Sequence, residues 1–182
     1  MTNYSRASGL SLVTAGAPLV RVATLTPTVA ANLDLLSVFT SDYDNYIVEC
    51  VGITTGSTAF IALHLATGGS VDAGSNMYSS VTGGPFLNIT SAAASAQVSP
   101  SLLSSGIGCN LSMFIKNVND ATNIKSINVD SVSQTTSNPY YQYANPYIAY
   151  KATNTLSGFR LAASVGNFAA TGKIRVYGIS NT

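Results

Sequence analysis

The sequence predicts an all-β protein, an antiparallel β-sandwich or jelly roll with an extended N-terminal arm. Three observations predict it. Apolar residues recur with a period of two in short runs, most clearly over residues 109–118, where Leu111, Met113 and Ile115 alternate with Ser112, Phe114 and Lys116. No segment sustains a helical period, and Gly, Pro, Asn and Ser punctuate the runs at the spacing of short strands. Finally, 46% of the 182 residues are hydrophobic while only 8% are charged, so the chain has ample material for a core between two sheets.

Taken in order, residues 1–34 read as the arm and 35–182 as the domain. Within the arm, short apolar pieces at 10–13 and 19–25 are interrupted by Pro18 and Pro27. Because proline lacks a backbone donor, these pieces suit extended segments or edge strands. Residues 30–38 suit one or two turns of helix. Residues 46–53 mix β-branched and aromatic side chains and form a strand, and 54–57 turn the chain. Residues 60–65 form the next strand, with Ile61, Leu63 and Leu65 on one face and Ala62 and His64 on the other; Gly68 and Gly69 end it. The Ser-, Gly- and Ala-rich stretch 70–105 holds short strands near 77–81 and 86–90. Further strands follow at 109–118, 124–132, 147–151, 159–165 and 173–179. In the last, Ile174 and Val176 face one way and Arg175 and Tyr177 the other. No internal repeat, heptad or collagen-like period is present, so the chain has no fibrous shaft.

The charge balance excludes several functions. The net charge is +1 and the eight basic residues are scattered from Arg6 to Arg175, so nucleic acid is not expected as a partner. No run of about 18 apolar residues exists to cross a membrane as a helix, and the polar residues 1–9 do not read as a signal peptide. No charged residue lies between Asp72 and Lys116. Such neutrality removes the repulsion that keeps monomers apart, and charge is depleted at interface cores, so the surface is expected to be covered by other copies or other proteins.

No catalytic or cofactor constellation emerges. His64 is the only histidine and has no second ligand at metal spacing. Asp42, Asp44 and Asp72 are oxygen ligands of the kind calcium takes, but Asp42-Tyr43-Asp44 reads equally as the start of a strand, and no metal or other cofactor is assigned. Glu49 is the only glutamate, and nothing in the sequence brings it the second carboxylate a glycosidase needs. Cys50 and Cys109 each sit in a strand and read as buried free thiols. Asn88-Ile89-Thr90 and Asn110-Leu111-Ser112 match the glycosylation pattern at the frequency chance provides in so Asn-, Ser- and Thr-rich a chain.

The candidate binding residues lie in the tract 138–147, read as a loop. It carries Tyr140, Tyr141, Tyr143 and Tyr147 among the chain's ten tyrosines. Tyrosine offers wide amphipathic area with few rotors and stacks on sugars, so the tract suits either a subunit interface or a recognition surface.

Three segments carry a resemblance. Tyr43-Asp44-Asn45-Tyr46-Ile47-Val48, Leu63-His64-Leu65-Ala66-Thr67-Gly68-Gly69 and the closing Ile174-Arg175-Val176-Tyr177-Gly178-Ile179 resemble motifs of small bacteriophage virion β-sandwich proteins. The resemblance implies a non-enzymatic structural protein on the outer surface of a phage particle, often trimeric. The leading expectation is a capsid cement or decoration protein that contacts its own copies and the major capsid protein or tail and neck proteins. The alternative is a short tail-fibre or receptor-binding protein recognising a glycan or protein of the host surface. The arm is expected to anchor the chain, so that deleting residues 1–31 leaves a folded sandwich that no longer joins particles.

Overall fold

In the computed structural model, residues 18–80, 92–100, 106–134 and 141–180 are described. All regular structure among them is β. The larger, eight-stranded sheet contains β1 (Leu19–Leu25), β3 (Asn45–Ile53), β6 (Met77–Ser79), β8 (Cys109–Lys116), β9 (Lys125–Gln134), β10 (Tyr141–Ala144), β11 (Tyr147–Tyr150) and β13 (Lys173–Ile179). The smaller contains β2 (Asn32–Leu35), β4 (Ile61–Thr67), β5 (Ser70–Val71), β7 (Ala96–Gln97) and β12 (Gly158–Ala163). The larger sheet runs β1-β13-β3-β8-β9-β11-β6, with β10 also on β9. The smaller runs β2-β12-β4-β5, with β7 also on β4. Every pairing is antiparallel.

The period of two explains the sandwich. Tyr46, Val48 and Cys50 of β3, Leu111, Met113 and Ile115 of β8, and Ile174 and Val176 of β13 point inward from the larger sheet. They meet Leu33, Leu63, Leu65, Phe159 and Leu161 of the smaller sheet in one continuous core. Phe39, in the link between β2 and β3, bridges the layers: its ring lies 4.5 Å from that of Tyr46 and 5.9 Å from that of Phe159. The link from β4 to β5 is a two-residue turn in which Gly68 and Gly69 both have positive φ (57° and 79°), as a type I′ hairpin requires. Lys125 is buried at the end of β9, donating from Nζ to Ala152 O at 3.0 Å, and burial pushes its ammonium pKa down.

The sequence reading of the chain start is corrected in two places. Residues 19–25 form an edge strand, as expected, but it pairs along β13 of the larger sheet, which puts them in the sandwich rather than in the arm. Residues 32–35 form a strand on β12 instead of a helical turn, because Leu33 and Leu35 alternate into the core. The remaining arm residues 1–17, the piece at 10–13 among them, and the expected strand at 86–90 lie outside the described residues.

Candidate functional site

The tyrosine tract is not a loop over its described length. β10 and β11 pair with β9 in one unbroken register, Tyr141 opposite Gln134 and Ala144 opposite Ser131, then Tyr147 opposite Asn128. Asn145-Pro146 interrupts the ladder because proline has no N–H to give, but the Pro146 carbonyl still accepts from Val129 N at 3.2 Å. Residues 141–150 thus behave as one interrupted strand whose alternation decides where each tyrosine points. Tyr141, Tyr143 and Tyr147 share the outer face and are 79%, 62% and 44% exposed, whereas Tyr150 faces inward and is buried. Tyr140 lies outside the described residues.

Tyr143, Tyr147 and Tyr150 have different settings. Tyr143 Oη donates to Asp130 Oδ1 at 2.5 Å, and that bond holds the phenol pKa above its usual value. Tyr147 is anchored through its backbone N–H, which donates to Ser80 Oγ at 3.0 Å. Tyr150 belongs to the framework: its hydroxyl donates to Asp72 Oδ2 at 2.6 Å, and burial first, then Asp72, drives its pKa well above the ordinary phenol value.

The outer face of the larger sheet is concave beside Tyr143. A bulge produces the concavity. The register of β3 on β8 moves from Cys50 opposite Leu111 to Ile53 opposite Cys109, so Val51 and Gly52 together face Asn110. The Gly52 N–H that leaves the ladder is captured by Asn110 Oδ1 at 2.9 Å. The resulting groove, about 330 Å³, is lined by Val51, Asn110, Ser112, Val132 and Tyr143, with Glu49 and Asp130 also contributing. Glu49, Ser112 and Asp130 occupy one row across three strands, since Ser112 is the register partner of both carboxylates. Sequence reasoning left Glu49 without an acidic companion. The pairing of β9 onto β8 supplies Asp130 two strands away, roughly 10 Å between backbones at the usual strand spacing.

The other sequence candidates resolve into framework. Asp42, Asp44 and Asp72 do not gather: no group of three or more His, Cys, Asp or Glu side chains placed for a metal ion exists among the described residues. Asp42 accepts from Thr40 Oγ1 at 3.2 Å, and Asp44 from Asn119 Nδ2 at 3.3 Å. Asp72 accepts from Tyr150 Oη, from Gly74 N at 2.8 Å and from Asn76 Nδ2 at 2.9 Å. His64 sits on the outer face of the smaller sheet beside Arg160. Partial burial and that guanidinium lower its pKa. Cys50 and Cys109 are free and buried; burial pushes Cys50 well up and Cys109 up to about 12, so neither is a thiolate at neutral pH.

Fold and site therefore define a class: an all-β, two-sheet sandwich with a tyrosine-flanked groove on the outer face of its larger sheet. Neither protein-family models nor curated proteins give a match to this chain.

Proposed function

We propose that the chain is a non-enzymatic structural protein on the exterior of a bacteriophage virion, acting as a capsid cement or decoration protein. The observation that carries this reading is the free edge of the larger sheet. Among the described residues, β1 closes that sheet with one side of its backbone unpaired, Leu19 and Val20 are 47% and 39% exposed, and Arg21 is the strand's only charge. Proteins that stay monomeric blunt such edges with charge, proline or short strands. The irregularity between Arg21 and Ala23 bends the strand but leaves Leu19-Val20-Arg21 in regular pairing with β13. An apolar edge on so neutral a chain suits a surface covered by a neighbouring subunit. The resemblance of the β3, β4–β5 and β13 segments to phage virion proteins supplies the setting.

In this reading the partners are further copies of the chain, as a trimer, and the major capsid protein. Each contact needs about 1,000 Å² of buried surface to be specific, and repetition over a symmetric shell holds the protein by avidity. A second reading, a short tail-fibre or receptor-binding protein for a host-surface glycan or protein, is favoured by the groove beside Tyr143.

Copy number per particle tests the proposal, by quantitative mass spectrometry of purified virions normalised to the major capsid protein. Hundreds of copies in a simple ratio to the shell support cement. A few to a few tens transfer the protein to the tail and favour receptor binding, and absence from virions overturns both. The anchoring test is a deletion of residues 1–17. Deleting 1–31 also removes β1, and with it Val22, Ala23 and Leu25 that pack against the core, so it would confound anchoring with unfolding.

A further inference from the structure

We infer that the groove beside Tyr143 binds a neutral saccharide chain. The inference deepens the receptor reading and requires only that the outer face of the larger sheet be free.

Sugar recognition needs two kinds of surface at once: an apolar platform for the C–H face of the ring, and hydrogen-bonding groups for the hydroxyls around its rim. The groove supplies both. Val51 and Val132, 50% and 39% exposed, offer aliphatic surface where a soluble sheet normally presents polar side chains. Tyr143 adds an exposed aromatic ring whose orientation is set in advance by the bond from its hydroxyl to Asp130. Holding the ring in place before binding lowers the ordering cost that a mobile aromatic side chain would impose.

The polar groups are also matched to hydroxyls. Asn110 spends its carbonyl oxygen on Gly52 N–H, which turns the amide N–H₂ into its remaining donor. Glu49, Ser112 and Asp130 form a row of acceptors across the groove, and one oxygen of Asp130 is already fixed by Tyr143. Carboxylates accept strongly from sugar O–H groups.

The same row selects against other occupants. Glu49 has Arg175 of β13 as its register partner on the same face, whereas Asp130 stands opposite Ser112, so the Asp130 end of the row repels uronic or sialic acids. An apolar protein surface closing over the groove would bury the Asp130 carboxylate with no countercharge among the groove's lining residues, which is costly, whereas a hydrated saccharide donates to it and leaves water present.

The test uses the full-length, isotope-labelled chain in solution, titrated with neutral tetrasaccharides built from glucose, galactose, mannose or N-acetylglucosamine. Tetragalacturonate and a lysine pentapeptide are the comparisons. At least one neutral tetrasaccharide is expected to shift the backbone amides of Val51, Asn110, Ser112, Val132 and Tyr143 with a Kd of about 1 mM or tighter. Tyr143→Ala should weaken that binding about tenfold, and Tyr143→Phe, which keeps the ring and releases Asp130, should weaken it less. Tyr143 is 62% exposed, so both variants are expected to keep the wild-type melting temperature. The inference is overturned if no neutral tetrasaccharide binds, if the shifts map away from β3, β8, β9 and β10, or if Tyr143→Ala binds as well as wild type. It is equally overturned if tetragalacturonate or the lysine peptide produces the same shifts in place of the neutral sugars. Because the assay uses the isolated chain, its failure leaves the copy-number result untouched.

Discussion

Gly178→Ala is the substitution for which the structure gives the sharpest expectation. Gly178 lies on β13 opposite Tyr46 of β3, and the ring of Tyr43 lies directly over its Cα. A Cβ built there falls well inside the van der Waals contact distance of Tyr43 Cγ and Cδ2 and 2.8 Å from Cδ1. The clash is with the root of the ring, not with a flexible tip. Two responses are open to the protein. If Tyr43 stays, the overpacked contact costs about 1–3 kcal/mol. If it swings out, it forfeits the edge-on contact with Tyr46, whose centroid is 5.8 Å away, worth about 0.5–1.5 kcal/mol. It also loses its share of buried apolar surface, on the order of 1 kcal/mol. Either route converges on about 2 kcal/mol, which for a chain of this size is a fall in Tm of about 4–8 °C.

Thermal unfolding of a double-mutant cycle with Tyr43→Ala is the assay. Gly178 does not have positive φ, so alanine carries no backbone strain there. With the ring removed, Gly178→Ala should cost nothing and even gain a few tenths of a kcal/mol from reduced chain entropy. Equal cost in both backgrounds, or a Tm change under about 1 °C in the wild-type background, refutes the reasoning. The pair also explains two of the segments behind the phage resemblance. Tyr43-Asp44-Asn45-Tyr46 and the Gly178 of the closing strand meet in space, the glycine making room for the tyrosine.

Three further expectations follow from the electrostatics. The Asp34–Arg160 cross-strand pair is half exposed, so Asp34→Asn should cost under about 1 kcal/mol at low salt and less at high salt, read from denaturant midpoints. The hydrogen bond from Arg160 holds the Asp34 carboxyl below its usual range. Its contribution is therefore complete above about pH 4 and is lost as pH falls through the lower folded value, so the stability curves of the wild type and the Asp34→Asn variant should converge in acid. At Asp72 burial pushes the pKa up, but the bonds from Tyr150, Asn76 and Gly74 outweigh it and the net shift is down. Tyr150→Phe removes one of those bonds and should cost about 1–3 kcal/mol at neutral pH, with a shallower loss of stability on acidification; an unchanged acid slope counts against the assignment. Finally, Cys50 and Cys109 should be unreactive toward a thiol reagent in the native protein and both react after unfolding, and rapid native labelling would contradict their burial.

What was legible in the sequence was what local alternation encodes. Over residues 46–53, 109–118 and 173–179 the side chains alternate between a wet and a dry environment, and that period marks a strand whatever its partners. The inward positions Ile174 and Val176, or Leu111, Met113 and Ile115, follow from it directly. The alternation is masked at residues 141–144, where tyrosines occupy the wet face and Pro146 punctuates the strand, so the segment has the composition of a loop. Residues 32–35 are ambiguous in sequence because four residues are too few to separate strand from helical turn without knowing that β12 runs alongside.

The site itself belongs to tertiary structure. The bulge at Val51-Gly52 exists only because β8 pairs with β3, nearly sixty residues apart, and Glu49 meets Asp130 in one row only because β9 pairs with β8. By itself the sequence determined the fold class, most strand positions and the near-zero net charge. Strand order, register and the groove were decided by long-range pairing. Period-two patterning states which side of a sheet a residue faces but carries no record of which strand lies beside it.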